Sequence, residues 1–130
     1  GQTELEYGRC VAYDADYQGP AFSPHEGDRL VRLLRDQPGK TIIMLANHGV
    51  LTIGSIAEAY DRLYYIEKVA KVQLYAMWTG QKLKYLSQGV IDATYRAFDN
   101  GTLHGGKSAA EHHFDALKRR LDKREPDYRD

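Results

Sequence analysis

Residues 41–54 read TIIMLANHGVLTIG, two apolar runs interrupted by the polar triplet Asn47-His48-Gly49. The first run, Ile42 to Ala46, is too short and too uniformly apolar for an amphipathic helix, and its length suits a strand buried on both faces. The second, Val50 to Ile53, repeats the signal. Three polar residues ending in glycine predict a tight connection or a bulge between them. Gly54-Ser55 then opens a helix.

Upstream, RCVAY at 9–13 is β-prone and is followed by the turn-rich DADYQGP. Ser23 as N-cap and Pro24 as first helical residue start a helix whose stripe is Leu30, Val31, Leu33 and Leu34, with Pro38-Gly39 as its stop. The order is therefore strand, helix, strand. Downstream, Ile56, Tyr60, Leu63, Tyr64, Ala70, Leu74 and Met77 recur mostly at spacings of three, four or seven. This pattern predicts a helix from Ile56 to about Thr79, roughly 36 Å long at 1.5 Å per residue, which serves as a packing spine and projects beyond the domain. Residues 81–101 give a second helical pattern, closed by Asn100-Gly101. Ser108, with Glu111 three residues on, predicts a capping box and a last helix to about Asp122 before a frayed charged tail.

The 130 residues amount to one domain's worth of chain. With 42% hydrophobic and 28% charged residues, the composition is that of a globular protein rather than a disordered one. Eighteen basic residues balance eighteen acidic ones, which argues against an extended nucleic-acid footprint or an anionic-membrane docking face. Small molecules and other protein chains are the expected partners. A single cysteine, Cys10, leaves no internal disulfide, and no run of 18 apolar residues is present, so the expected location is the cytoplasm. The first residue is Gly1 rather than Met, which suggests a processed or excised fragment.

His48 is the candidate site residue. A strand end exposes side chains while the flanking apolar residues hold the backbone rigid. An imidazole there suits a divalent cation through one nitrogen, with the other nitrogen donating to a carbonyl or carboxylate. The same residues also suit a plain turn in which Asn47 and His48 satisfy backbone groups. His25, His104, His112 and His113 read as surface histidines, the last two pointing about 100° apart on a helix. HExxH, CxxC, GxGxxG, P-loop and GxSxG patterns are absent, so no complete catalytic set is visible and the catalytic residues stay unassigned. Of the ten tyrosines, Tyr60, Tyr64, Tyr65 and Tyr75 share the long helix and suit either a half-buried interface or a core margin. Tyr128, in the charged tail, is expected to be mobile.

The block from Leu45 to Ala76, LANHGVLTIGSIAEAYDRLYYIEKVAKVQLYA, resembles the class II aldolase/adducin family. The likeness lies in the apolar strand, Asn-His-Gly, the second strand ending in Gly54, and the Ala57-Glu58-Ala59 helix start. The upstream GRCVAYDADYQGPAF and downstream LKRRLDKREPDYRD also resemble segments of bacterial members. The resemblance implies a three-layer α/β/α fold with a mixed or antiparallel central sheet, of which residues 1–130 form the C-terminal part. It implies that His48 is the third ligand of a zinc or other divalent cation. The family's His-x-His pair and glutamate base lie upstream, and no His-x-His occurs here.

The implied activity is that of a lyase (aldolase) or sugar-phosphate epimerase. It would act on a carbohydrate-like hydroxy-carbonyl compound through an enediolate whose charge the cation stabilises. The resemblance also implies a homo-oligomer, commonly a tetramer. The alternative is a noncatalytic adducin-like module for oligomerisation and protein binding.

Overall fold

The computed structural model describes residues 2–16, 24–99 and 106–129. The elements are α1 (Gln2–Gly8), β1 (Val11–Asp14), α2 (Pro24–Asp36), β2 (Ile42–Leu45), β3 (Gly49–Thr52), α3 (Ile56–Trp78), α4 (Gln88–Asp99), α5 (Ala109–Arg124) and the 3₁₀ turn η1 (Pro126–Arg129). The three strands form one sheet in the order β1-β2-β3. β1 and β2 run parallel, joined through α2, with Val11 opposite Ile42 and Asp14 opposite Leu45. β2 and β3 run antiparallel as a hairpin, with Leu45 opposite Gly49. The sheet is mixed and the fold is α/β, as the sequence predicts.

β2 is central and fully enclosed at its start. Ile42 and Ile43 are both 0% exposed. Successive strand side chains point to opposite faces, so both faces of the sheet are covered there. On one face Val11 and Ile42 pack with Tyr7 of α1 and Ile66 of α3, flanked by Met44 and Tyr65. On the other face Asp14 reaches Arg29 of α2. β3 follows the predicted pattern only in part: Gly49 and Val50 are exposed, and Leu51 and Thr52 half-buried. Its turn end stands clear of any covering helix.

The polar triplet makes the hairpin possible. Asn47 takes a left-handed φ of 57° and Gly49 a φ of 151°, and asparagine and glycine are the residues that enter such regions at least cost. His48 donates its backbone N–H to the Leu45 carbonyl at 3.2 Å, and Ala46 donates to the Asp14 carbonyl at 2.9 Å, which ties the turn to the end of β1. Gly54 has a different reason. Its φ is 145°, and a Cβ there would meet the Arg62 guanidinium and Glu58.

α3 begins with a capping box, Ser55 Oγ accepting from the Glu58 amide while the Glu58 carboxylate accepts from the Ser55 amide. Ser108 and Glu111 repeat the device at α5, as the sequence predicts. The structure departs from the sequence pattern at three places. α1 is a helix that the sequence pattern does not predict. Residues 81–87, read as the start of a helix, have no regular structure, and α4 begins only at Gln88; after Gly80, with φ 67°, this segment stays exposed except at Leu83. The C-terminal tail is not frayed, because Tyr128 donates to Asp122 at 2.7 Å and Arg129 pairs with the same carboxylate at 2.5 Å. Ser23 and the Asn100-Gly101 pair lie outside the described residues.

Truncating Ile43 to alanine removes a side chain at the sheet's most enclosed point and leaves a cavity. Ile43→Ala is expected to cost about 2–5 kcal/mol, measured as a shift in the urea midpoint at unchanged slope.

Candidate functional site

His48 sits at the tip of the β2–β3 hairpin with its side chain exposed. Its neighbours come from two other elements. Asp14, the last residue of β1, is 5% exposed and grips Arg29 of α2 with both carboxylate oxygens, Arg29 Nη1 donating to Oδ1 at 2.7 Å and Nη2 to Oδ2 at 2.5 Å. Asp14 Oδ1 also accepts from the Asp16 amide at 3.1 Å. On its other side Arg29 holds Glu26, one turn earlier on α2, through Nε to Oε2 at 2.8 Å and Nη2 to Oε1 at 2.6 Å. Three side chains from β1 and α2 thus meet at the end of the sheet, where the Asp14 carbonyl accepts from the Ala46 amide at the start of the hairpin turn.

The electrostatics of this cluster follow from its geometry. Hydrogen bonds from Arg29 hold the Asp14 carboxyl below the usual carboxylate range, against the opposing effect of burial. The same donor holds Glu26 down. Both carboxylates, bonded to it from two sides, raise the guanidinium further above its already high value. Two carboxylates sharing one guanidinium stay ionised and fixed in direction.

A second cluster lies among the helices. Asp61 of α3, 6% exposed, accepts from Tyr7 Oη at 2.7 Å and pairs with His113 Nδ1 of α5 at 2.6 Å. Burial first, and the Asp61 carboxylate second, push the Tyr7 phenol upward, so it remains a donor. Tyr60, Tyr64 and Tyr65 surround the His113 ring with centroids 4.8–5.9 Å away. This network fastens α1, α3 and α5 together. His113 is therefore half-buried and bonded, not the surface histidine expected, whereas His25 and His112 are exposed as expected and His104 lies outside the described residues. A groove of about 600 Å³, lined in part by Leu5, Tyr65, Val72, Tyr85 and Ile91, runs along the C-terminal half of α3 and does not include His48.

The chemistry of His48 suits one donor to a divalent cation: an exposed imidazole on a backbone held by a paired strand at each side. Among the described residues, however, no three His, Cys, Asp or Glu side chains converge as a cation site. The described residues by themselves do not make up a tightly held metal site. Asp14, Glu26 and Arg29 were not singled out by the sequence reading. The available signals were an acidic residue ending an otherwise apolar strand and a Glu-x-x-Arg spacing on α2.

The Class II Aldolase and Adducin N-terminal domain model matches residues 1–74. A curated relative named "Putative aldolase class 2 protein PA3430", from Pseudomonas aeruginosa, is 31% identical over 124 residues, which cover 92% of this chain and 45% of the relative. The crystal structure of an aldolase II superfamily protein from Pseudomonas syringae superposes with a TM-score of 0.76 at 30% identity, covering 100% of this chain and 49% of that one. The chain belongs to the class II aldolase/adducin family. It spans about half the length of the relatives it matches. No helix among the described residues is long and apolar enough to cross a membrane.

The Asp14–Arg29 pair gives a pH prediction. Asp14 has a folded-state pKa below its ordinary 3.8, so the stability it contributes is present above that value and is lost as pH falls through the lower folded one. Asp14→Ala is expected to cost about 1.5–3 kcal/mol near neutral pH, by leaving Arg29 short of a charged acceptor. The gap between variant and wild type should close as urea titrations move below about pH 4.

Proposed function

We propose that this chain is the C-terminal part of a divalent-metal-dependent, class II aldolase-like lyase, and that His48 is one of its metal donors. The observation that carries this reading is an exposed imidazole at the tip of a hairpin in a chain of this family, set on a turn that Asn47 and Gly49 shape. The remaining donors, and the base that abstracts or returns a proton, would come from parts of the full-length protein outside these 130 residues. The substrate class is a sugar phosphate or related hydroxy-carbonyl compound, processed through an enediolate, and the metal is zinc or another divalent cation. Tight zinc binding at a catalytic site takes three protein ligands, so the isolated chain is expected to purify with little metal.

Metal analysis of the full-length protein with and without His48→Ala tests this directly. The expected result is near-stoichiometric metal in the wild type, at least a tenfold loss in the variant, and a parallel loss of carbon–carbon cleavage across a panel of sugar phosphates. Undiminished metal in the variant would remove His48 from the site, and a metal-free, inactive wild type would favour the noncatalytic adducin-like reading.

The same reading includes a homo-oligomer, with a tetramer favoured. Its support is the far end of α3, where Tyr75 and Trp78, ring centroids 5.5 Å apart, are 60% and 75% exposed beside exposed Val72 and Met77. A helix end apolar on several sides is suited to burial against other protein. Sedimentation of the full-length protein should show the assembly, and Trp78→Asp should shift it toward smaller species.

A further inference from the structure

We propose that the groove along the second half of α3 is a binding site for a free, single-chain amphiphilic carboxylate of the fatty-acid kind, with Lys68 and Lys84 holding the head group and the apolar stripe of α3 holding the chain. The inference is independent of the reading of His48.

The groove is built from one face of α3 and from elements that lie against it. Tyr65, Lys68, Val69, Val72, Gln73 and Ala76 recur at the spacings of a single helical stripe. At 1.5 Å per residue that stripe is roughly 16 Å long. Facing it stand Leu5 of α1, Ile91 of α4 and residues 83–86. The chain returns along the helix because Gly80 follows α3 with a φ of 67°, a left-handed conformation that ends a helix and turns its course. Residues 81–87 thus have a place in the fold without regular structure of their own. Leu5, Val69, Leu83 and Ile91 are half-buried and make an apolar floor, whereas Val72, Tyr85 and Leu86 form an exposed rim. Tyr75 and Trp78, the proposed contact between copies, do not line the groove.

Volume and charge select the occupant. A volume of about 600 Å³ is that of a small-molecule cleft. A helix three turns long and about 10–12 Å across would fill roughly twice that space. Lys68 and Lys84 bring two ammonium groups to the groove against the single carboxylate of Glu4. The ion pairs among the described residues engage neither lysine. Lys68 Nζ instead lies 4.7 Å from the centroid of the Tyr64 ring, a contact that steadies the ammonium without neutralising it. An apolar trough with excess positive charge at its margin complements an apolar chain with one anionic head, and disfavours the same chain with a cationic head.

The test is isothermal titration calorimetry of the full-length protein with dodecanoate, below its micelle threshold, beside dodecyltrimethylammonium as the same chain with the opposite head. Dodecanoate is expected to bind saturably, one per chain, and the cationic amphiphile at least tenfold more weakly. Lys68→Gln and Lys84→Gln should each weaken dodecanoate about two- to fivefold, the range for losing one exposed charge pair, and added salt should do the same. Ala76→Glu keeps a helix-favouring residue and sets a carboxylate in the groove. It should abolish binding while the circular dichroism spectrum stays unchanged. Absence of saturable dodecanoate binding overturns the proposal, including the case in which other parts of the full-length protein cover the groove. Equal binding of the two amphiphiles, or dodecanoate binding that none of the three variants changes, overturns it as well.

Discussion

The enclosure of β2 constrains everything else in this structure. Ile42 and Ile43 are consecutive and both fully buried, so helices must lie on each face of the sheet. That requirement places α2 on one side and α1 with α3 on the other. It also forces the chain to leave β2 sharply at Ala46, because the next strand pairs antiparallel with the one just completed. The polar triplet is the consequence of that reversal, and His48 is carried to the sheet's end by it.

Burial of polar groups sets the second level of organisation. Asp14 and Asp61 are the buried acidic side chains among the described residues, and each is held by partners far away in sequence. A buried carboxylate without partners would be costly, so each one acts as a locking point. Asp61 joins the helices through Tyr7 and His113; Asp14 joins β1 to α2 through Arg29. The first network borders the groove along α3 through Tyr65, whereas the second ends next to the hairpin turn. Both networks pair a buried carboxylate with a partner that keeps some access to solvent, Arg29 in one and His113 in the other.

Much of the architecture was legible in the sequence because its signals are local. The apolar runs around Asn47-His48-Gly49, the spacing along α3, and the Ser-x-x-Glu boxes at Ser55 and Ser108 each specify their own element. What the sequence hid depends on contacts between distant residues. α1 is seven residues long and is secured by Tyr7 meeting Asp61, 54 positions away. His113 is bonded to Asp61, and Asp122 binds both Tyr128 and Arg129 of the tail, through contacts that no local pattern announces. The opposite error arises at 81–87, where helix-favouring Leu and Lys residues take no regular structure and instead line the groove along α3. For the site, the sequence exposed the imidazole but not the Asp14–Arg29–Glu26 chain behind it, because periodicity carries no information on which strand end meets which helix.

The central claim is that the break in the apolar segment exists to present His48 to a cation. A crystal structure of the full-length protein, with the metal identified by anomalous scattering, tests that claim most directly. The account predicts an anomalous peak within bonding distance of a His48 ring nitrogen, about 2.0–2.1 Å for zinc. A fully metallated protein whose peak lies elsewhere, with the His48 ring covered by apolar side chains, would contradict it.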